Sequence, residues 1–161
     1  MKTVEWYPLA DSLKDFLRNY RYSDGRKLFE YLPNYDSLNI VIGAGNAGEY
    51  PLIEIKFGEE NSLDKPSNVS CGVIQFWIDV YIGGENLVGV VDELGQALYR
   101  QLYLMEKELV FALREFRKTL YKMYGTETKV DIVAILSDGD ENSPVTIEHR
   151  IVCNLTYYRD K

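Results

Sequence analysis

A glycine-rich segment is the part of this sequence that comes nearest to a cofactor-binding motif. Residues 43–48 spell G-x-G-x-x-G after a predicted strand, and Asp64 follows further along the chain. In a dinucleotide site the last glycine opens a helix whose N-terminus holds the pyrophosphate. Here Pro51 and a strand pattern follow instead. We interpret residues 43–48 as an inter-strand loop, and we keep a small-molecule or nucleotide-binding enzyme that uses this turn as the alternative function.

A second polar cluster has the spacing of calcium ligands. Asp138, Asp140 and Asn142 alternate like the first ligands of a calcium-binding loop. The twelfth position of such a loop is a glutamate, but here that position is His149. Strand patterns also flank the segment where the motif has helices. The sequence therefore favours an acidic hairpin tip, and we predict no metal site.

The remaining reactive residue types form no recognisable catalytic set. His149 is the only histidine, and its phase places it on the apolar face of the last predicted strand. Asp79 and Asp131 lie in strand patterns, where an exposed carboxylate is commoner than an acid with a raised pKa. Cys71 and Cys153 are interpreted as reduced and buried. The sequence therefore predicts a protein that is not an enzyme, with no catalytic residue and no cofactor.

Apolar periodicity predicts two amphipathic helices that would position these residues. Apolar side chains recur at three- and four-residue steps within residues 6–20, which predicts a helix over about residues 8–21. Residues 87–123 contain no proline and keep the same periodicity, which predicts one helix of about 50 Å. That length exceeds the diameter of a domain this size, so we expect part of the helix to project or to pack on a neighbour.

Alternating apolar residues predict the strands, which are residues 38–42, 52–57, 74–82, 130–136 and 145–157. The polar stretch 58–68 is predicted to be a long loop, and residues 137–144 a hairpin connection. The sequence thus predicts a single domain over residues 1–161 of the α+β class. Its sheet is mainly antiparallel with four to five strands, and the N-terminal helix and the long helix pack on one face.

Composition restricts the partners. The 161 residues include 18 basic and 25 acidic ones, so the net charge of −7 would repel a nucleic acid unless one face were locally basic. The 13 tyrosines suit either an interaction surface or a tyrosine-rich core. No apolar run suits a signal peptide or a membrane span, so we expect a cytoplasmic protein with no membrane partner. The single candidate basic stretch, typical of a solvated helix face, is Arg114, Arg117, Lys118 and Lys122.

The order of these elements resembles the tail terminator, or tail-completion, proteins of tailed phages and phage-derived particles. The likeness covers nearly the whole chain as a pattern and includes no short diagnostic motif. Residues 27–36 and 43–48 have no counterpart in that pattern. The likeness is carried by residues 6–20, 52–57, 74–82, 87–123 and 130–157.

The resemblance implies a structural protein that caps a finished tail tube, stops its polymerisation and joins it to the head connector. It implies a ring of six copies, with the tail tube protein and the head-tail connector protein as partners and with DNA passing through without specific binding. The protein would be assembled in the host cytoplasm and would reside in the neck region of the virion tail. An adaptor domain of a secretion or stress complex is a third interpretation. We expect the partner-binding residues to lie in two loops, as Glu59, Glu60, Asp64, Lys65, Asp138, Asp140, Glu141 and Asn142.

Overall fold

The computed structural model describes residues 5–32, 35–43, 51–63, 69–83, 92–124, 129–137 and 146–160. A short 3-10 turn, Tyr35–Ser37, precedes the first strand. The predicted start of the long helix, at residues 87–91, lies outside the described residues. In chain order the elements are α1 (Trp6–Asn19), β1 (Asn39–Ile42), β2 (Leu52–Leu63), β3 (Val69–Gly83), α2 (Asp92–Tyr124), β4 (Lys129–Ser137) and β5 (Thr146–Asp160).

The strands form one sheet in the order β1-β2-β3-β5-β4. Three of the four neighbouring pairs are antiparallel, and β1 pairs with β2 in parallel. At the centre of the sheet Ile78 of β3 lies between Ile55 of β2 and Ile151 of β5. The α+β class and the mainly antiparallel sheet are confirmed, and the parallel pair is an addition that the alternation of residues did not indicate.

Both helices cover one face of the sheet, as predicted. Helix α1 lies over β1 and β2, and α2 lies over β3, β5 and β4. Trp6 of α1 stacks on Phe57 of β2 with ring centroids 4.9 Å apart, and Phe16 of α1 meets Phe116 of α2 at 5.3 Å. Each fully buried aliphatic or aromatic side chain contributes about 1.5–3 kcal/mol. The residues of β3 and β5 buried on this face are Ile74, Phe76, Ile78, Val80, Ile82, Ile151, Cys153, Leu155 and Tyr157.

Strand β2 is longer than predicted. Residues 58–63, expected in a loop, continue β2 as far as Leu63, which pairs with Cys71 of β3. The prediction of a loop at Glu59 and Glu60 is therefore wrong. The polar composition of this stretch was misleading because backbone hydrogen bonds between the strands can hold a hairpin whatever its side chains are. A bulge between Phe57 and Glu59 also shifts the register at the point where the apolar alternation stops.

A glycine and a tyrosine are matched across β3 and β5. Gly72 pairs with Tyr157, whose ring is 2% exposed. A Cβ atom added to Gly72 would overlap the Tyr157 hydroxyl and ring. Because Gly72 has no side chain, the Tyr157 ring can lie over β3 at this position. The ring fills the space that a glycine would otherwise leave empty.

Candidate functional site

The predicted docking residues are only partly covered by the described structure. Glu59 and Glu60 lie in β2, where their backbones pair with Gln75 and Ile74 of β3. They belong to a strand and not to a docking loop. The other six residues lie outside the described ranges, so their expected role stays a prediction; they are Asp64, Lys65, Asp138, Asp140, Glu141 and Asn142.

The glycine-rich segment is described only at its first residue. Gly43 follows β1 with φ of +88°, a conformation that favours glycine, and its N–H donates to the Ile55 carbonyl over 2.9 Å. Residues 44–48 lie outside the described residues. Because the sheet already uses the Gly43 N–H, this group is not a free donor for a phosphate.

Four charged side chains meet on the sheet face opposite the helices, and we call them the charged row. Glu54, Asp79 and Arg150 occupy directly paired positions on β2, β3 and β5, and Lys56 lies two residues after Glu54. Each alternates with a buried apolar neighbour in its strand, so all four point away from the helices.

Every charge in the charged row has a partner. The Arg150 guanidinium binds Asp79 through two contacts, Nε to Oδ1 at 2.8 Å and Nη2 to Oδ2 at 3.0 Å. The Lys56 ammonium lies 2.9 Å from Asp79 Oδ2 and 3.0 Å from Glu54 Oε1. Two cations thus compensate two carboxylates, and the planar guanidinium supplies the forked geometry that suits a carboxylate.

The environment of Asp79 differs from the one expected. The sequence favoured an exposed carboxylate there, but Asp79 is 0% exposed and Glu54 only 4%. The difference arises because Arg150 and Lys56 cover the carboxylate, and Arg150 also lies over the Trp77 ring at 4.7 Å. Burial lowers the pKa of Lys56, but its bonds to Asp79 and Glu54 outweigh this effect and raise the pKa above its usual value.

A second buried carboxylate links α2 to the segment that follows α1. Glu108 of α2 is 8% exposed and accepts from the Tyr22 hydroxyl at 3.3 Å and from Arg26 Nη1 at 3.3 Å. Its other oxygen accepts from the Phe29 backbone N–H at 2.6 Å. Phe29 has φ of +64°, a strained conformation for a bulky residue, and its ring is 1% exposed. Glu108 therefore holds a strained turn against the helix.

A cleft of about 440 Å³ lies beside this carboxylate. Tyr22 stacks on Phe111 with centroids 5.3 Å apart, and Arg26 lies 4.3 Å above the Tyr22 ring. Burial raises the pKa of Tyr22 to about 12 and that of Tyr31 further, so both phenols are neutral at ordinary pH. Residues lining the cleft are Tyr22, Arg26, Tyr31, Leu104, Lys107, Glu108 and Phe111.

His149 fulfils the expectation for a histidine on the apolar face of the last strand. It lies in β5, and its Nδ1 contacts a carboxylate oxygen of Glu106 on α2. Both side chains are largely buried, at 19% and 14% exposed. The pair joins α2 to the sheet. Cys153 is a buried free thiol, and burial raises its pKa to about 12, which disfavours the reactive thiolate.

The outward face of α2 has an unusual composition. From Arg100 to Met123 every exposed residue is either basic or a tyrosine. The three acidic residues of the same stretch are not exposed, and each has a partner. Glu106 contacts His149, Glu108 binds Arg26, and Glu115 binds Lys118. We call the exposed basic residues and tyrosines the basic face of α2. They are Arg100, Tyr103, Lys107, Arg114, Arg117, Lys118, Tyr121 and Lys122.

Strand β4 forms one edge of the sheet and exposes apolar side chains. Val133 is 56% exposed and Ile135 is 45% exposed. Val133 occupies a bulge, because the pairing with β5 shifts between Ile132 and Ala134. Such an edge offers unpaired backbone groups to another chain, and apolar residues on it favour that contact.

The described residues contain neither a metal-binding group nor a membrane-spanning helix. No group of three or more His, Cys, Asp or Glu side chains in the described ranges is arranged to hold a metal ion. Neither α1 nor α2, the two α-helices within the described ranges, is long and apolar enough to cross a membrane.

The charged row was not foreseen from the sequence. Neither was the contact set that we call the Glu108 cluster, which is Glu108 with Tyr22, Arg26 and Phe29. The available signal was a charged residue at a central position of a strongly apolar segment, as Asp79 is between Ile78 and Val80. The partners of these carboxylates lie 71 and 82 residues away, so the strand register and the helix packing were needed to find them.

In comparisons with models of known protein families and with curated proteins, no family and no protein matched this chain.

Proposed function

We propose that this chain is a structural assembly protein that caps the end of a phage or phage-like tail tube, stops its polymerisation and joins it to the head connector. The proposal rests on the resemblance in element order, in which α1, three strands, α2 and a terminal strand pair follow one another. A capping role requires surfaces that contact other proteins and requires no catalytic group. Copies would meet head to tail in a closed ring, which needs two different surfaces on each copy.

The observation that carries the proposal is the exposed apolar edge at β4. Val133 and Ile135 are 56% and 45% exposed at the end of a sheet whose inner strands are fully paired. Proteins that stay monomeric usually protect such an edge with charges or a covering element. A contact with a neighbouring copy or with the tube would bury these two side chains and pair the free backbone groups.

Exposed tyrosines provide further support. Tyr7 of α1, Tyr103 and Tyr121 of α2 are 58%, 59% and 60% exposed. Tyrosine is enriched in protein interfaces because its ring buries a large apolar area while its hydroxyl keeps a hydrogen bond. The large number of tyrosines in the composition is thus partly explained by surface positions and not by the core alone.

The test is a tube-growth assay. Tail-tube protein is polymerised with and without this chain, and tube lengths are measured by electron microscopy. The proposal expects tubes that stop growing and carry a ring of density at one end. Tubes of unchanged length with bare ends would overturn it.

A matched pair of variants connects the assay to the edge strand. Ile135→Lys places a charge on the β4 edge and is expected to abolish capping, whereas Ile135→Val keeps an apolar side chain and is expected to cap normally. Circular dichroism of both variants checks that the fold is retained. Equal capping by the two variants would show that the β4 edge is not a contact surface.

A further inference from the structure

The basic face of α2 concentrates positive charge in an acidic protein. Residues 100–123 contain six basic and three acidic residues, a net charge of +3. The rest of the chain contains 12 basic and 22 acidic residues, a net charge of −10. An acidic chain attracts a polyanion only where one face is locally basic, and this helix meets that condition.

The exposed cations lie along one stripe of α2. With about 100° between successive residues, the eight side chains of the basic face fall within an arc of about 140°. The stripe extends over about 33 Å of helix axis, from Arg100 to Lys122. Residues such as Leu109 and Phe116, on another side of the helix, are buried in the core. The packing of α2 therefore presents all six cations to solvent together.

The carboxylates of the same stretch do not cancel this charge. Glu106 and Glu108 are largely buried and are bonded to partners on other elements. The half-buried Glu115 lies at the flank of the stripe and offsets Lys118. Five cations are left without an exposed carboxylate on residues 100–123, and they are Arg100, Lys107, Arg114, Arg117 and Lys122.

The neighbouring parts of the helix layer do not cancel the charge either. Helix α1 contains two acidic and two basic residues, so it adds no net charge. Residues 21–30, which contact α2 through the stack of Tyr22 on Phe111, contain three basic and two acidic residues. The surface around the basic face is thus neutral to slightly positive, and the potential at α2 stays positive.

The composition and length of the stripe favour a nucleic-acid duplex as its partner. Charged residues are depleted from the centre of protein interfaces, whereas six of the eight residues here are charged. Helices that lie on membranes insert an apolar face, but the apolar face of α2 is buried in the core. A duplex carries a phosphate charge about every 1.7 Å of its axis, and a stripe of about 33 Å spans about one turn of it.

We infer that the basic face of α2 binds the phosphate backbone of duplex DNA without regard to base sequence. The five cations contact phosphate oxygens, and the hydroxyls of Tyr103 and Tyr121, residues 59% and 60% exposed, donate to the same backbone. The inference goes beyond capping and rests on the proposed function only for the choice of DNA as the duplex. Phosphate contacts read no bases, so they suit a chain past which DNA of any sequence moves.

The test is the binding of a fluorescent DNA duplex, measured by anisotropy. A duplex of about 20 base pairs is twice the length that the stripe can follow. The five free cations predict that the logarithm of the association constant falls with the logarithm of salt concentration with a slope of about −4.5. A second duplex of unrelated sequence is expected to bind equally well.

Three variants assign the binding to α2. Arg114→Gln with Arg117→Gln removes two phosphate contacts, so we expect binding about 10- to 100-fold weaker at about 0.05 M salt and a slope shallower by about 2. Arg114→Lys with Arg117→Lys keeps both charges and is expected to bind as the wild type does. Lys14→Gln with Arg18→Gln removes the same charge from α1 and is expected to leave the affinity unchanged. Circular dichroism checks that each variant is folded.

Three results would overturn the inference. One is a wild-type chain that does not bind the duplex at about 0.05 M salt. Another is equal weakening by the α1 and α2 pairs of substitutions, which would show an effect of net charge and not of this face. The third is binding to phosphatidylserine vesicles but not to DNA, which would assign the face to a membrane surface.

The tube-growth assay separates this inference from the proposed function. Capping of tubes by a chain that does not bind DNA would sink this inference alone. Binding of DNA through α2 by a chain that leaves tubes uncapped would sink the proposed function alone.

Discussion

The carboxylate of Asp79 and the guanidinium of Arg150 face each other across directly paired positions of β3 and β5, with N–O distances of 2.8 and 3.0 Å. Asp79 is completely buried, whereas the Arg150 side chain is 30% exposed. A buried carboxylate loses its hydration and depends on its partners for compensation. The pair therefore fixes the centre of the sheet face that the helices leave open.

Replacement of Asp79 is expected to destabilise the fold. Asp79→Asn removes the negative charge that Arg150 and Lys56 share, and we expect the free energy of unfolding to fall by about 3 kcal/mol. Urea denaturation measures the change. Asp131→Asn on the exposed side of β4 is the control and is expected to change stability by at most about 0.5 kcal/mol. Equal effects at the two positions would contradict the role of the charged row.

Removal of Glu108 is expected to release the turn at Phe29. Glu108→Ala leaves the Phe29 N–H and Arg26 without their acceptor, so we expect a loss of about 2–3 kcal/mol in unfolding free energy. Glu115→Ala removes only an exposed pair with Lys118 on the same helix and is expected to cost at most about 1 kcal/mol. Hydrogen exchange of the Phe29 amide is expected to accelerate in Glu108→Ala, and protection equal to wild type would contradict this account.

The match between Gly72 and Tyr157 predicts a coupled effect of two substitutions. Gly72→Ala forces the buried Tyr157 ring to move, and we expect a cost of about 1–3 kcal/mol. In a Tyr157→Leu background the same change meets no phenol ring and is expected to cost less. A double-mutant cycle measures the difference, and strictly additive effects would show that the two residues do not constrain each other.

Alkaline pH is expected to weaken the Glu108 cluster. The pKa of Tyr22 is raised from 10.0 to about 12 in the folded protein, so the neutral phenol is favoured there relative to the unfolded chain. Its contribution to stability is fully present below pH 10 and is lost as the pH rises towards 12. Tyr22→Phe is expected to reduce the decline of unfolding free energy in this range. An unchanged pH profile in that variant would contradict the raised pKa.

The sequence was sufficient for those elements whose apolar periodicity is long and regular. Helix α1, most of α2 and the alternating segments of β3 and β5 were predicted because one face of each is buried, as Ile78 and Ile151 show. The extension of β2 through Glu59 and Glu60 was missed because its sequence is polar and has no alternation of apolar residues, while backbone pairing with β3 holds the strand.

The sites were less predictable than the elements. Asp79 and Arg150 lie 71 residues apart, and Glu108 and Arg26 lie 82 residues apart, so no local pattern relates either pair. The basic stretch at residues 114–122 was visible, but its meaning depends on which residues of α2 are exposed. Only the packing of α2 shows that its outward face lacks exposed acidic residues between Arg100 and Met123.

The most direct test of the central claim is the solution mass of the purified chain by light scattering, over a range of concentrations and with or without tail-tube protein. The account predicts a closed assembly near six copies, or one that forms when tube protein is added. A monomer at every concentration, with no response to tube protein, would contradict the account.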